Sequence, residues 1–105
     1  MDQGTSKNIE IYINSVAKQH PELIAAYLFG SYAKNKERSE SDIDIALIMD
    51  NLSDNERFDT QVRLMLIASK IDNRIEPHPI SKQDLSLNNP FSNEILKTGI
   101  KLKVK

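Results

Sequence analysis

The chain has 105 residues, of which 39% are hydrophobic and 28% are charged, and this composition excludes a wholly disordered chain and predicts one domain, residues 1–105, with one core. The 14 basic and 15 acidic residues give a net charge of −1, so we expect no broad positive surface for nucleic acid. Cysteine is absent, which excludes disulfides and zinc–thiolate sites. The chain start lacks signal-peptide features and no apolar run could span a membrane, so we expect a cytoplasmic protein without a membrane partner.

The first half of the chain predicts one helix and two strands. The helix is expected to take Thr5 or Ser6 as its N-cap and to end before His20, with apolar residues at helical spacing between them. Residues 23–29 form a short, nearly continuous apolar run that closes on a glycine, which predicts a strand buried on both faces. A helical turn and a charged loop then lead to a second strand at residues 42–49.

A capping box predicts the start of the next helix. Ser53 is followed three residues later by Glu56, an arrangement that satisfies two free backbone N–H groups at a helix N-terminus. The helix is expected to continue to about Ile71. One face of it would carry Phe58, Val62, Met65, Leu66 and Ser69.

The last third of the chain alternates extended and helical segments. Residues 74–80 predict an extended strand, and its two prolines favour the edge of a sheet because proline cannot donate a ladder hydrogen bond. A short helix is expected from Ser81, Asn89-Pro90 is expected to break it, and residues 93–98 predict a last helix. Residues 100–104 alternate apolar residues with lysine, as in a protected edge strand. Strands interleaved with helices predict an α/β fold, a small mixed sheet flanked by helices.

Two aspartates one residue apart begin the second predicted strand. Because a strand directs residues i and i+2 to the same face, Asp42 and Asp44 would present their carboxylates side by side, and Ala46 and Ile48 would continue that face. Two adjacent carboxylates repel each other, and hard cations compensate them. Such a pair can hold two Mg²⁺ ions about 3.5–4 Å apart for phosphoryl or nucleotidyl transfer.

The turn between the two strands has the features of a phosphate site. Gly30 allows the backbone to approach a ligand closely, and the N–H groups and hydroxyl at Ser31 open a short helical turn that can hold phosphate oxygens. Lys34 either adds a positive charge to the same phosphates or is an ordinary solvated lysine. These residues indicate a nucleoside triphosphate held by its phosphates and by metal.

Three short segments together resemble the G-S-x-A-[RK]-G…S-D-x-D signature of the DNA polymerase β nucleotidyltransferase superfamily: Gly30-Ser31, Ala33-Lys34 and Ser41-Asp42-Ile43-Asp44. The short chain resembles the minimal nucleotidyltransferase (MNT) group of that superfamily. The order of elements also fits, so the resemblance covers most of the chain and implies a polymerase β-like nucleotidyltransferase core. Asn35 stands where the family usually has glycine. Asparagine tolerates left-handed backbone well, so the turn is expected to survive.

The resemblance also implies a third carboxylate, on a following strand, that ligates the catalytic metal and can act as base. Glu76 is the only acid inside the third predicted strand, which makes Asp42, Asp44 and Glu76 the expected catalytic and metal-binding set. The family more often has aspartate at this position, and the alternative for Glu76 is a solvated acid paired with Arg74. His78 shares the face of Glu76 and could touch nucleotide or metal, but a lone histidine flanked by prolines is expected to be structural.

The expected activity is transfer of AMP from ATP to a hydroxyl, with two Mg²⁺ ions and release of pyrophosphate. The chain ends soon after this core, so either a homo-oligomer forms or a partner brings the hydroxyl. The resemblance implies a HEPN-domain toxin as that partner, with AMP transferred to a tyrosine and this chain acting as the antitoxin.

The alternative function is a non-catalytic binding module that keeps the nucleotidyltransferase fold and neutralises a partner by masking it. The intact set of carboxylates argues against this alternative, whereas Asn35 and the prolines of the third strand argue mildly for it. Modification of a small molecule is a third possibility, which the short length disfavours.

Overall fold

The computed structural model describes residues 1–38, 41–85 and 89–104. Over these residues the chain forms a four-stranded mixed sheet with helices packed on both faces, which confirms the predicted α/β fold. The strands are β1 (Leu23–Phe29), β2 (Ile43–Met49), β3 (Ile75–Ser81) and β4 (Ile100–Leu102). The helices are α1 (Gln3–Gln19), α2 (Asp54–Ser69) and α3 (Pro90–Thr98), with a 3-10 turn at Lys82–Asp84.

The strands lie in the order β3-β2-β1-β4. β1 runs antiparallel to both β2 and β4, whereas β2 and β3 are parallel and are connected through α2. The two prolines of β3 and Lys101 of β4 therefore lie on edge strands, as expected from the missing N–H groups of proline and the charge of lysine. The acidic end of β2 lies at an interior position of the sheet.

The larger core lies between one face of the sheet and helices α1 and α2. Alternate residues of β2 fill this core: Ile43, Ile45, Leu47 and Met49. The hydroxyl of the fully buried Tyr12 donates a hydrogen bond to the Leu64 carbonyl at 3.0 Å, which joins α1 to α2 and satisfies the polar end of the ring. No helix of the described residues is long and apolar enough to cross a membrane.

A smaller core lies on the opposite face, under α3. Its buried residues are Phe29, Ala46, Ile48, Ile80 and Ile95. Ala46 and Ile48 follow Asp44 at intervals of two residues, so this is the face to which the strand alternation directs the acidic pair. Asp42 is exposed and Asp44 is half-buried, so their end of the face stays open to solvent.

The expected start of α1 and the expected burial of β1 are wrong. Asp2 is the N-cap of α1, and its carboxylate accepts a hydrogen bond from the Thr5 N–H at 2.7 Å, so Thr5 lies inside the helix. A carboxylate competes well for a helix N-terminus because the free N–H groups there carry partial positive charge. In β1, Ile24 is 46% exposed because the pairing of β1 with β2 shifts register at this point.

The capping box of α2 is confirmed, but the expected face of α2 is wrong. The Glu56 carboxylate accepts hydrogen bonds from the N–H and the hydroxyl of Ser53, at 3.3 Å and 2.8 Å. The predicted apolar face is largely exposed, with Phe58 at 75%. The residues of α2 that are buried instead are Leu64, Ile67 and Ala68.

The Asn89-Pro90 pair begins α3 rather than only ending the preceding segment. The side-chain oxygen of Asn89 accepts hydrogen bonds from the N–H groups of Phe91 and Ser92 at 3.0 Å and 3.3 Å, and Pro90 takes the first helical turn, where proline is well tolerated. The short helix expected from Ser81 is the 3-10 turn, which the Ser81 side chain caps. Residues 86–88, where that helix would have continued, lie outside the described residues.

Candidate active site

The three predicted acidic residues lie at one end of neighbouring parallel strands. Asp42 immediately precedes β2 and Asp44 is its second residue. In the pairing of β2 with β3, the Cα of Asp44 lies opposite that of Glu76. Asp44 and Glu76 thus share a rung of the sheet, and Asp42 precedes them by one strand repeat on the same side.

Gly30 lies directly against Asp44. Its φ of +74° is in the left-handed region, and a Cβ added there would stand 2.5 Å from Oδ2 of Asp44. A side chain at this position is therefore excluded by both backbone strain and the carboxylate. Within the described atoms, the close approach at Gly30 is to Asp44, and the expected approach to a ligand stays a prediction.

The turn after Gly30 keeps its shape although asparagine replaces the usual glycine. Asn35 has φ +57°, so the expected left-handed conformation is confirmed. The N–H of Lys34 donates to the Gly30 carbonyl at 3.2 Å, and the N–H of Lys36 donates to the Ser31 carbonyl at 2.9 Å. These bonds hold residues 30–36 as a compact helical turn beside Asp44.

Within the described residues, Lys34 pairs with a glutamate of α3 and with none of the three predicted acidic site residues. Its ammonium group forms an ion pair with Glu94 of α3 at 3.1 Å, and both side chains are about half exposed. An exposed pair of this kind contributes little stability, roughly 0–1 kcal/mol. The ion pair connects the turn to α3 and can be exchanged at low cost for a bound anion.

Arg74, the alternative partner considered for Glu76, instead forms an ion pair with Asp72 at 2.7 Å. The same guanidinium donates to the hydroxyls of Tyr32 and Thr5, each at 3.0 Å. Its hydrogen bonds lower the pKa of Asp72 from 3.8 to about 2. This Asp72–Arg74 network joins α1, the turn after Gly30 and the start of β3.

His78 contacts Asp44 of the acidic pair, a contact that the sequence did not predict. Its Nε2 lies 3.1 Å from Oδ1 of Asp44. The imidazole also packs edge-on against Phe29, with ring centres 5.0 Å apart, and lies 6.1 Å from the ring of Phe91. The shared face of Glu76 and His78 was the signal that could have indicated this contact, because it places His78 one strand repeat from the acidic rung.

The donor set fits a hard cation in its chemistry. Carboxylate oxygens are the ligands that Mg²⁺ prefers, and Asp42, Asp44 and Glu76 supply them from one side of two strands. Within the described residues, however, no three acidic or histidine side chains are gathered closely enough to ligate one ion. Ligation by all three therefore requires side-chain rotation, which the open end of this face permits.

Solved structures with the same fold include several toxin–antitoxin complexes. A protein from Sulfolobus solfataricus assigned as a nucleotidyltransferase superposes with a TM-score of 0.67 at 21% identity, over 94% of this chain and 79% of that one. A toxin–antitoxin structure with AMP-PNP gives a TM-score of 0.62 at 25% identity, over 94% and 73% of the two chains. A tri-AMPylated HEPN toxin of Shewanella oneidensis in complex with an MNT antitoxin gives 0.54 at 25% identity, over 91% and 72%.

No curated protein matches the chain. The model of the family described as "Polymerase beta, Nucleotidyltransferase" matches residues 12–105, a span that contains the turn at Gly30, the acidic pair and Glu76. The match therefore covers most of the sequence and the whole candidate site. The chain belongs to the polymerase β nucleotidyltransferase family.

Proposed function

We propose that this chain is a Mg²⁺-dependent nucleotidyltransferase that transfers AMP from ATP to a hydroxyl, a tyrosine of a HEPN-domain toxin, and so acts as an antitoxin. The observation that carries the proposal is the rung formed by Asp44 and Glu76, with Asp42 beside it and Gly30 packed against Asp44. The toxin–antitoxin structures with AMP-PNP and with an AMPylated HEPN toxin support the choice of nucleotide and partner.

Each residue has a definite role in this proposal. Asp42, Asp44 and Glu76 would hold two Mg²⁺ ions, and the bound ions would neutralise charge on the triphosphate and on the departing pyrophosphate. The N–H groups and hydroxyl of the turn at Ser31 would bind phosphate oxygens. Lys34 would exchange Glu94 for the triphosphate.

The reaction is an in-line displacement at the α-phosphorus of ATP. The tyrosine oxygen forms a bond to that phosphorus, the bond to the bridging oxygen of the β-phosphate breaks, and pyrophosphate leaves. Glu76 orients the tyrosine hydroxyl and accepts its proton. Catalysis then consists mainly of positioning and charge neutralisation, as in phosphoryl transfer generally.

Two features of the sequence favoured a masking module without activity, and neither disturbs the fold in the structure. Asn35 adopts the left-handed conformation that the family's glycine would supply. The prolines of the third strand lie at the sheet edge, where a missing N–H costs no ladder bond to a further strand. The masking module remains the alternative that the following experiment separates from transfer.

The test uses ATP labelled at the α-phosphate, with γ-labelled ATP as control, Mg²⁺, and the HEPN protein encoded beside this chain. We expect label on the partner from the α position alone, and at least about a 1000-fold loss in the Asp42→Asn, Asp44→Asn variant, because a metal clamp supplies several kcal/mol of transition-state stabilisation. The matched control is Asp54→Asn, Asp59→Asn, which removes two acids from α2.

Transfer retained by the Asp42→Asn, Asp44→Asn variant would refute the assigned site. If the two proteins bind each other and no label moves, transfer is refuted and masking takes its place. Circular dichroism of both double variants separates loss of activity from loss of the fold.

A further inference from the structure

We propose that His78 is a positioning residue that fixes the carboxylate of Asp44 in the orientation needed to hold metal. This inference rests on the proposed function. His78 would contact neither ATP nor the acceptor, and it would act only through its contact with Asp44.

Two neighbours constrain the Asp44 carboxylate, one at each oxygen. Oδ1 lies 3.1 Å from Nε2 of His78, and Oδ2 faces Gly30, where an added Cβ would stand 2.5 Å away. A carboxylate oxygen can only accept, so Nε2 carries the proton and donates it. His78 thus orients Oδ1 of Asp44 as a hydrogen-bond donor, and Oδ2 occupies space beside Gly30 that any larger residue at position 30 would fill.

The imidazole of His78 is itself held in place by packing. Phe29 packs edge-on against it with an interplanar angle of 63°. Phe91 lies 5.4 Å from Phe29 at 82°, so the three rings form one cluster across β1, β3 and α3. A donor that is held by packing restricts its acceptor more than a mobile side chain does.

The register of β2 and β3 places His78 within reach of Asp44. His78 pairs with Ala46, and Glu76 pairs with Asp44, so the imidazole reaches Asp44 diagonally across one strand repeat. Diagonal neighbours lie about 7–8 Å apart at their Cα atoms, a distance that a histidine spans. The small side chain of Ala46 leaves the intervening space to the ring.

The contact is also partly shielded from water. The side chains of His78 and Asp44 are 34% and 26% exposed. Both side chains therefore keep part of their surface in contact with solvent, from which a metal would approach the Asp44 carboxylate. This arrangement suits a residue that orients a ligand without occupying its open coordination side.

The test compares two substitutions at the same position. His78→Gln keeps an amide nitrogen that can donate at similar reach, whereas His78→Leu keeps bulk and removes the donor. Loss of partners that orient metal ligands costs about 10- to 100-fold in metal affinity or activity. We therefore expect His78→Leu to lower kcat and to weaken Mn²⁺ binding by about 10- to 100-fold, with little change in KM for ATP, and His78→Gln to recover most of both.

Binding of Mn²⁺, followed by electron paramagnetic resonance without ATP, gives a readout that does not depend on turnover. The matched control is His20→Leu, because His20 also stands near a carboxylate, Glu22 at 3.5 Å. Phe91→Leu removes a ring contact and keeps the donor, and it is expected to have a smaller effect than His78→Leu. Thermal unfolding of every variant accounts for any general loss of structure.

The inference is overturned if His78→Leu binds Mn²⁺ as the wild type does, or if His78→Gln is as impaired as His78→Leu. Failure of the proposed function looks different. In that case the wild-type chain would bind Mn²⁺ in a manner that depends on His78 and would still transfer no AMP.

Discussion

At the scale of single residues, the candidate site requires that position 30 carries no side chain. The left-handed backbone and the Asp44 carboxylate both exclude a side chain there. Gly4 provides a contrast within the same chain, because it lies in α1 and an added Cβ would meet Asp2 only at an ordinary contact distance of 3.4 Å. The two glycines should therefore respond oppositely to the same substitution.

Gly30→Ala is expected to lower the free energy of unfolding by about 1–2 kcal/mol through left-handed strain. If Asp44 holds metal as proposed, the substitution should also reduce AMP transfer by roughly 100-fold, because it displaces the Asp44 carboxylate by about 1 Å. Gly4→Ala should leave transfer unchanged and should keep or slightly raise stability. Urea unfolding and the labelled-ATP assay measure both effects, and full activity in Gly30→Ala would contradict the close packing against Asp44.

At the scale of elements, α2 shows how an apolar pattern can predict a helix and miss its buried side. The capping box places the helix start correctly because that signal is local and satisfies specific N–H groups. The helix α2 carries more apolar residues than one face can bury, so only one of its two sets of apolar residues packs against the sheet. The structure buries Leu64, Ile67 and Ala68 and leaves Phe58 exposed.

Leu64→Ala is expected to lower the free energy of unfolding by about 2–5 kcal/mol, because it opens a cavity in the larger core. Phe58→Ala should change that free energy by less than about 0.5 kcal/mol, since the ring is mostly in solvent. Denaturant unfolding of the two variants makes the comparison. An equal cost for both would mean that α2 is rotated and packs its predicted face on the sheet.

At the scale of the whole molecule, the Asp72–Arg74 network ties together parts of the chain that lie far apart in sequence. Arg74 bonds Asp72 beside β3, Tyr32 in the turn after Gly30 and Thr5 in α1. Asn8 donates a further hydrogen bond to Asp72 at 3.1 Å. The network connects the candidate phosphate turn to α1 and to the start of β3.

The stability of the chain is expected to depend on pH through Asp72. Its pKa falls from 3.8 to about 2 in the folded protein, so the ionised carboxylate stabilises the fold above about pH 4. This contribution, ~2 kcal/mol, is lost as the pH falls through about 2. Urea unfolding between pH 5 and about 2 should therefore show a steeper decline for the wild type than for Asp72→Asn, and parallel declines would argue against the network.

Much of the fold and the site follows from local sequence. The apolar runs of β1 and β2 and the Ser53–Glu56 box identify their elements within a few residues, since each signal needs only neighbouring positions. The glycine turn and the aspartates one residue apart indicate a phosphate and metal site for the same reason. They also carry the resemblance that the family match confirms.

The tertiary structure decided what local sequence leaves open. It determines which apolar residues of α2 are buried. It also pairs Arg74 with Asp72 rather than with Glu76, and it places His78 in contact with Asp44. The burial of α2 and the contact of His78 with Asp44 depend on segments distant in the chain, and the local Asp72–Arg74 pair is held by the further bonds of Arg74 to Tyr32 and Thr5. The sequence by itself indicated the elements, the acidic pair and the family, because these are written in neighbouring residues, whereas the contact of His78 with Asp44 and the bonds of Arg74 to Tyr32 and Thr5 were decided only when the fold brought distant segments together.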